Sequence, residues 1–83
     1  MISEKKHLLL KALAQDHPQV GETAAAVIVN GLTDEQCPEM IELLNDEKKY
    51  TGAVTEDMAL RLYLYLTGAM KKEFYESLAE EES

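Results

Sequence analysis

TEDMALRLYLYLTGAMKKEFYESL, residues Thr55 to Leu78, holds the densest run of large apolar side chains in this sequence, and its reading decides the fold. Inside it, Leu60-Arg61-Leu62-Tyr63-Leu64-Tyr65-Leu66 repeats with the two-residue period of a β-strand. The flanks decide against a strand. Ala59, Leu62, Tyr63, Leu66, Ala69, Met70, Phe74 and Leu78 continue an i, i+3, i+4 pattern that only a helix explains. At about 100° per residue, the large apolar side chains from Leu62 round to Leu64 cover roughly 200°, twice the stripe of an ordinary surface helix. This predicts a long central helix covered by its neighbours or by a second copy of the chain. Gly68 costs a helix interior about 1 kcal/mol relative to alanine, so Thr67-Gly68 is where such a helix would kink or divide. Thr55 is its N-cap, Glu56 and Asp57 suit its first turn, and Val54 can staple onto Ala59.

Upstream of this segment, Lys48 to Ala53 reads as a loop, with two lysines placed against the negative end of the preceding helix and Gly52 available for a turn. Thr33-Asp34-Glu35-Gln36 has the form of a capping box. The helix it opens either carries Pro38 close to its start, or is preceded by a short turn and begins at Pro38 itself. In both versions Cys37, Met40, Ile41 and Leu44 face the core while Glu35, Glu39, Glu42 and Asp46 face water. A second helix is expected to open at Pro18, with Val20, Ala24, Val27, Ile28 and Gly31 as its stripe, Gly31 as a left-handed stop and Leu32 folding back onto Val27. The β-branched trio Val27-Ile28-Val29 is the local argument for a strand there. The first helix, about Glu4 to Gln15, has Ser3 as N-cap and packs through Leu9, Ala12 and Leu13, with Leu8 at the edge. Asp16-His17-Pro18 ends it.

With 83 residues, 46% of them apolar, the chain supports one packed domain, taken as residues 1–79 with a frayed acidic tail at 80–83. The fold class expected is all-α: a small bundle of four helices, or five if Gly68 breaks the last, with a long apolar C-terminal helix and an up-and-down tendency. Sixteen acidic against eight basic residues give a net charge of −8. Lys49 divides the chain into two parts of −4 each, so no basic half is hidden and direct nucleic-acid binding is disfavoured. The single cysteine, Cys37, has no internal disulfide partner, which favours a reducing, cytoplasmic compartment. Three consecutive leucines near the N-terminus are too short for a secretory signal, and the longest apolar run, Ala24 to Val29, is too short to span a bilayer.

No motif carries a recognisable chemistry. His7, His17 and Cys37 are ligand types zinc uses, but no CxxC or HxxxH pair sets two of them one turn apart. The interval Asn45 to Glu56 has the length of a calcium loop, yet Lys49 stands where an oxygen ligand is needed and Tyr50 where the turn needs glycine. The four glycines lie far apart and build no phosphate cradle. A buried cysteine and two scattered histidines offer little to nucleophilic catalysis. In composition the chain resembles the acyl carrier proteins. Their carrier motif, Asp-Ser-Leu at the start of the second helix, has no counterpart, since the nearest string, Glu76-Ser77-Leu78, lacks the aspartate and lies near the C-terminus.

What remains is surface. Arg61, Tyr65, Gly68 and Lys72 line the polar strip of the long helix, with Tyr75 at its edge, and an exposed tyrosine beside an arginine is a common binding composition. The sequence thus points to Arg61, Tyr65, Lys72 and Tyr75 as partner-binding residues, with no catalytic, metal or cofactor site. The function expected is a small acidic cytoplasmic binding or inhibitor module of bacterial or phage type, acting on a basic protein partner as immunity proteins and antitoxins do. The alternative is a structural or assembly protein that forms a homodimer through the long helix.

Overall fold

The computed structural model of the chain describes residues 3–68. Among them are four α-helices, α1 (Glu4–Asp16), α2 (Glu22–Gly31), α3 (Gln36–Thr51) and α4 (Glu56–Leu66), a 3-10 turn at Pro18–Val20, and no strand. The all-α class follows directly. The acidic tail at 80–83 and the apolar positions beyond Gly68 lie outside the described residues.

The helix starts obey the cap chemistry of the sequence. Ser3 Oγ accepts the Lys6 N–H at 3.2 Å and opens α1. Thr33 and Gln36 form the reciprocal box, with the Thr33 N–H donating to Gln36 Oε1 at 2.9 Å and the Gln36 N–H to Thr33 Oγ1 at 3.3 Å. Thr55 Oγ1 accepts the Met58 N–H at 3.3 Å and opens α4. Each such cap is worth about 1 kcal/mol. Pro38 fits close to the start of α3 because Pro38 has no N–H for the Asp34 carbonyl. The Cys37 N–H takes that acceptor instead at 3.3 Å, so the first turn winds tightly before the α-helix proper.

The ends and registers bring four corrections. Pro18 opens the 3-10 turn and not α2, because Gly21, at φ 87°, interrupts the helix before Glu22. With that shift the buried stripe of α2 is Ala24, Ala25, Ile28 and Val29, and Val27 is 49% exposed. Gly31 is helical and not left-handed; its need for glycine is spatial, since a Cβ there would lie 2.7 Å from the Tyr63 ring Cζ. The predicted loop at Lys48 to Ala53 is helical as far as Thr51, because nothing before Gly52 stops α3. Gly52 then caps it in the left-handed conformation, its N–H bonded to the Lys48 carbonyl at 2.8 Å.

The fourth correction concerns the opening stretch. Its strand-like alternation is helical, as its flanks require, but the helix ends at Leu66 and does not run on to Leu78 as one element. The N–H of Thr67 bonds the Tyr63 carbonyl at 3.0 Å and that of Gly68 the Tyr65 carbonyl at 3.2 Å, with Gly68 at φ 83°, a conformation that L side chains rarely adopt. Nor is α4 central. It buries Ala59 and Leu62, half-buries Leu60, Tyr63 and Leu66, and leaves Leu64 38% exposed. The fully enclosed large side chains are mostly elsewhere: Leu9 and Leu13 of α1, Ile28 of α2, Met40 and Leu44 of α3. Burying each such side chain is worth roughly 1.5–3 kcal/mol.

Tertiary hydrogen bonds fix how the helices run. Ser3 Oγ donates to Asp34 Oδ1 at 2.7 Å, joining the starts of α1 and α3, and Lys48 Nζ donates to the Asp16 carbonyl at 2.8 Å, joining their ends. The two helices therefore lie side by side and parallel. Gln36 Nε2 donates to the Leu66 carbonyl at 3.3 Å, which sets α4 antiparallel to α3. Gly31 against Tyr63, and Gly21 near the Glu56 carboxylate, set α2 parallel to α4. Direction alternates along the chain, as an up-and-down bundle requires, but α1 packs chiefly on α2 and α3, and α4 on α3 and α2. The connection from α2 to α3 thus crosses one end of the bundle, and Leu32, 2% exposed, plugs that crossing.

Candidate functional site

Of the four residues singled out by sequence, Arg61 and Tyr65 are described, and Lys72 and Tyr75 lie outside the described residues. Arg61 and Tyr65 share one face of α4, one turn apart, and both are half-buried where a fully exposed tyrosine was expected. Tyr65 is half-buried, because Leu62, three residues earlier, belongs to the core and draws that side of the helix inward. Arg61 is bound to Asp57 at 2.8 Å in an i, i+4 ion pair whose side chains are 29% and 73% exposed. Both Arg61 and Tyr65 are engaged within the fold.

The exposed apolar surface lies on other helices. Leu8 is 51% exposed and Leu10 36%. Three leucines in a row cannot all face one core on a helix: at about 100° per residue they span roughly 200°, so burying Leu9 turns its neighbours outward. Leu10, Ala14, Pro18 and Ala25 line an open groove of about 250 Å³ between α1 and α2, with buried Leu13 at its floor and Glu22 at its rim. The sequence signal for it is Leu8-Leu9-Leu10, whose apolar excess over one helix face becomes surface. Tyr50, 89% exposed beside Lys48 and Lys49, is a second apolar surface residue, and it lies in the last turn of α3 and not in the predicted loop.

A second cavity, of about 200 Å³, lies where α1 and α3 end, lined by Asp16, His17, Gln19, Lys48 and Val54, and shares Pro18 with the groove. His17 is only 2% exposed, and neither ring nitrogen has a hydrogen-bond partner in the protein. Burial pushes its imidazole below the ordinary value of 6.5; the Asn45 side chain and the Asp16 charge act in the opposite direction, and Lys48 acts with burial. Asn45 exerts this influence as a nearby polar group without a hydrogen bond of good geometry to the ring. His7, by contrast, is exposed, as expected of it.

Cys37 has no exposed surface, and its Sγ donates to the Thr33 carbonyl at 3.3 Å. Burial, reinforced by the Asp34 charge, pushes its thiol up, which makes it packing material and not a nucleophile. Among the described residues no three His, Cys, Asp or Glu side chains converge to hold a metal ion, and no helix is long and apolar enough to cross a membrane. The fold and these surfaces define a small all-α domain with an apolar groove. The chain matches no known protein family, no curated protein and no solved structure.

Proposed function

We propose that this chain is a small acidic protein-binding module of the inhibitor kind, and that it engages its partner through the α1–α2 groove. The observation that carries this reading is the groove itself: an open apolar surface of Leu10, Ala14, Pro18 and Ala25, with Glu22 at the rim, on a chain of net charge −8. Apolar contact supplies the affinity, and the net negative charge of the whole chain draws in a basic partner. The module acts by occupying that surface, without chemistry of its own, in the reducing compartment that a lone buried cysteine suits.

The test is capture of partners from a bacterial lysate at low and high salt, with Leu10→Glu as the matched control. Leu10 is already partly exposed, so the substitution leaves the core intact. A basic protein retained by the native chain, weakened at least tenfold by Leu10→Glu and steeply by salt, supports the reading. Retention indifferent to both sinks it. One observation favours a second reading, assembly with another copy: Leu64 of α4 is exposed next to half-buried Leu60. That reading requires a doubled mass in light scattering and a melting temperature that rises with protein concentration, both abolished by Leu64→Glu.

A further inference from the structure

His17 has no part in the binding surface, yet it occupies one of the most enclosed positions in the molecule. It terminates α1, its N–H bonding the Leu13 carbonyl at 3.2 Å, and its own carbonyl accepts from Val20 at 3.1 Å to close the 3-10 turn. The ring lies in the seam between the ends of α1 and α3, which is otherwise held by the bond from Lys48 Nζ to the Asp16 carbonyl and lined by Val54, 1% exposed. A neutral imidazole is tolerable in such a place. A charged one is not, because a proton taken from water onto the imine nitrogen puts a cation out of reach of water, with no hydrogen bond of good geometry at either ring nitrogen and only the Asn45 side chain and the Asp16 charge in its favour.

We propose that His17 is a proton-operated latch: neutral, it closes the seam between the ends of α1 and α3; protonated, it leaves the seam and opens it. The groups that face it act against one another. On α1 the Asp16 carboxylate favours the cation, while on α3 the Lys48 ammonium opposes it and Asn45 is uncharged but favours it. The 3-10 turn contributes only uncharged Gln19, and the segment before α4 contributes Ala53 and Val54. Of the two carboxylates that α4 brings to this end, Glu56 lies by Gly21 and Asp57 pairs with Arg61. The balance falls with burial and keeps the folded-state value depressed. A depressed value means that the unfolded chain binds the proton more readily. Stability is therefore complete above the ordinary imidazole value and is lost as pH falls through it toward the folded-state value.

The experiment is a titration of both imidazoles by NMR in the intact chain, with thermal melts and amide exchange at pH 7 and pH 5. His17 should titrate below the ordinary imidazole value of 6.5, and the melting temperature should be lower by roughly 5 °C at pH 5. Protection, corrected for the intrinsic exchange rate at each pH, should fall at residues 13–20 and 48–54 and stay unchanged at 33–37. The melting loss should persist in His7→Gln, vanish in His17→Leu and shrink in Lys48→Met, which removes the opposing charge. If His17→Leu does not fold, the titration and the exchange pattern of the native chain decide alone. A His17 that titrates at or above the ordinary imidazole value of 6.5, an equal melting loss in His17→Leu, or corrected protection that falls evenly along the chain would overturn the latch.

Discussion

The two ends of this bundle are built differently. At the end where α1 and α3 begin, two capping side chains serve twice: Ser3 accepts from Lys6 and donates to Asp34, and Gln36 accepts from Thr33 and donates to the last carbonyl of α4. At the opposite end, one lysine holds the Asp16 carbonyl while a buried imidazole keeps two ring nitrogens without protein partners. The first arrangement satisfies polar groups so that four helix termini meet without loss. The second leaves a group whose charge state can be changed from outside. Stability is concentrated at one end of the molecule and sensitivity at the other, although both are made from ordinary helix-terminal residues.

The sharpest way to break the well-made end is Gly31→Val. The new side chain would displace the Tyr63 ring, at an expected cost of about 1–3 kcal/mol in chemical denaturation. Tyr63→Ala should remove most of that added cost, and simple additivity of the two changes would contradict the contact. Gln36→Ala comes next, at about 1–2 kcal/mol, because it empties the capping box and the tie to α4 together. Gln36→Glu should restore the box but not the tie, so amide protection near Leu66 should fall while that near Thr33 recovers. The smallest effect belongs to the other end. Lys48→Met gives up a solvent-exposed bond to the Asp16 carbonyl, and at pH 7 the melt should register only about 0.5–1 kcal/mol. A cost as large as that of Gln36→Ala would erase the contrast between the ends.

Much of this was legible in the residues. Ser3, the Thr33–Gln36 box and Thr55 announce three helix starts by local hydrogen bonding, which needs no knowledge of the rest of the chain. The face of α3, from Cys37 to Leu44, reads correctly because its acids and its apolar residues separate cleanly. Elsewhere, local signals left the outcome to tertiary packing. Val27 looks like core in a stripe drawn from Pro18, and becomes surface once Gly21 resets the helix. Gly31 resembles a stop, but what demands glycine there is a tyrosine 32 residues later in the chain. The long apolar segment from Thr55 invited a central role because it is rich in leucine. Apolar richness measures how much a helix could bury, not how much its neighbours cover. The strip of Arg61 and Tyr65 is half-buried for the same reason, since a wheel assigns a direction to each side chain and cannot supply the neighbour it meets.

The parallel pairing of α1 and α3 also bears on how the chain reaches this fold. Neighbouring helices joined by a short turn can pair early as local hairpins, and α1 with α2, and α3 with α4, have that option. The α1–α3 seam does not, because its two hydrogen-bonded ends join residues 31 and 32 positions apart. Closing loops of that size costs entropy that only the finished contact recovers, so the seam belongs to the last step, when one hairpin docks on the other. The rate of folding is then set by that docking, and Leu32, in the strand of chain between the two hairpins, is the residue that both halves must agree upon.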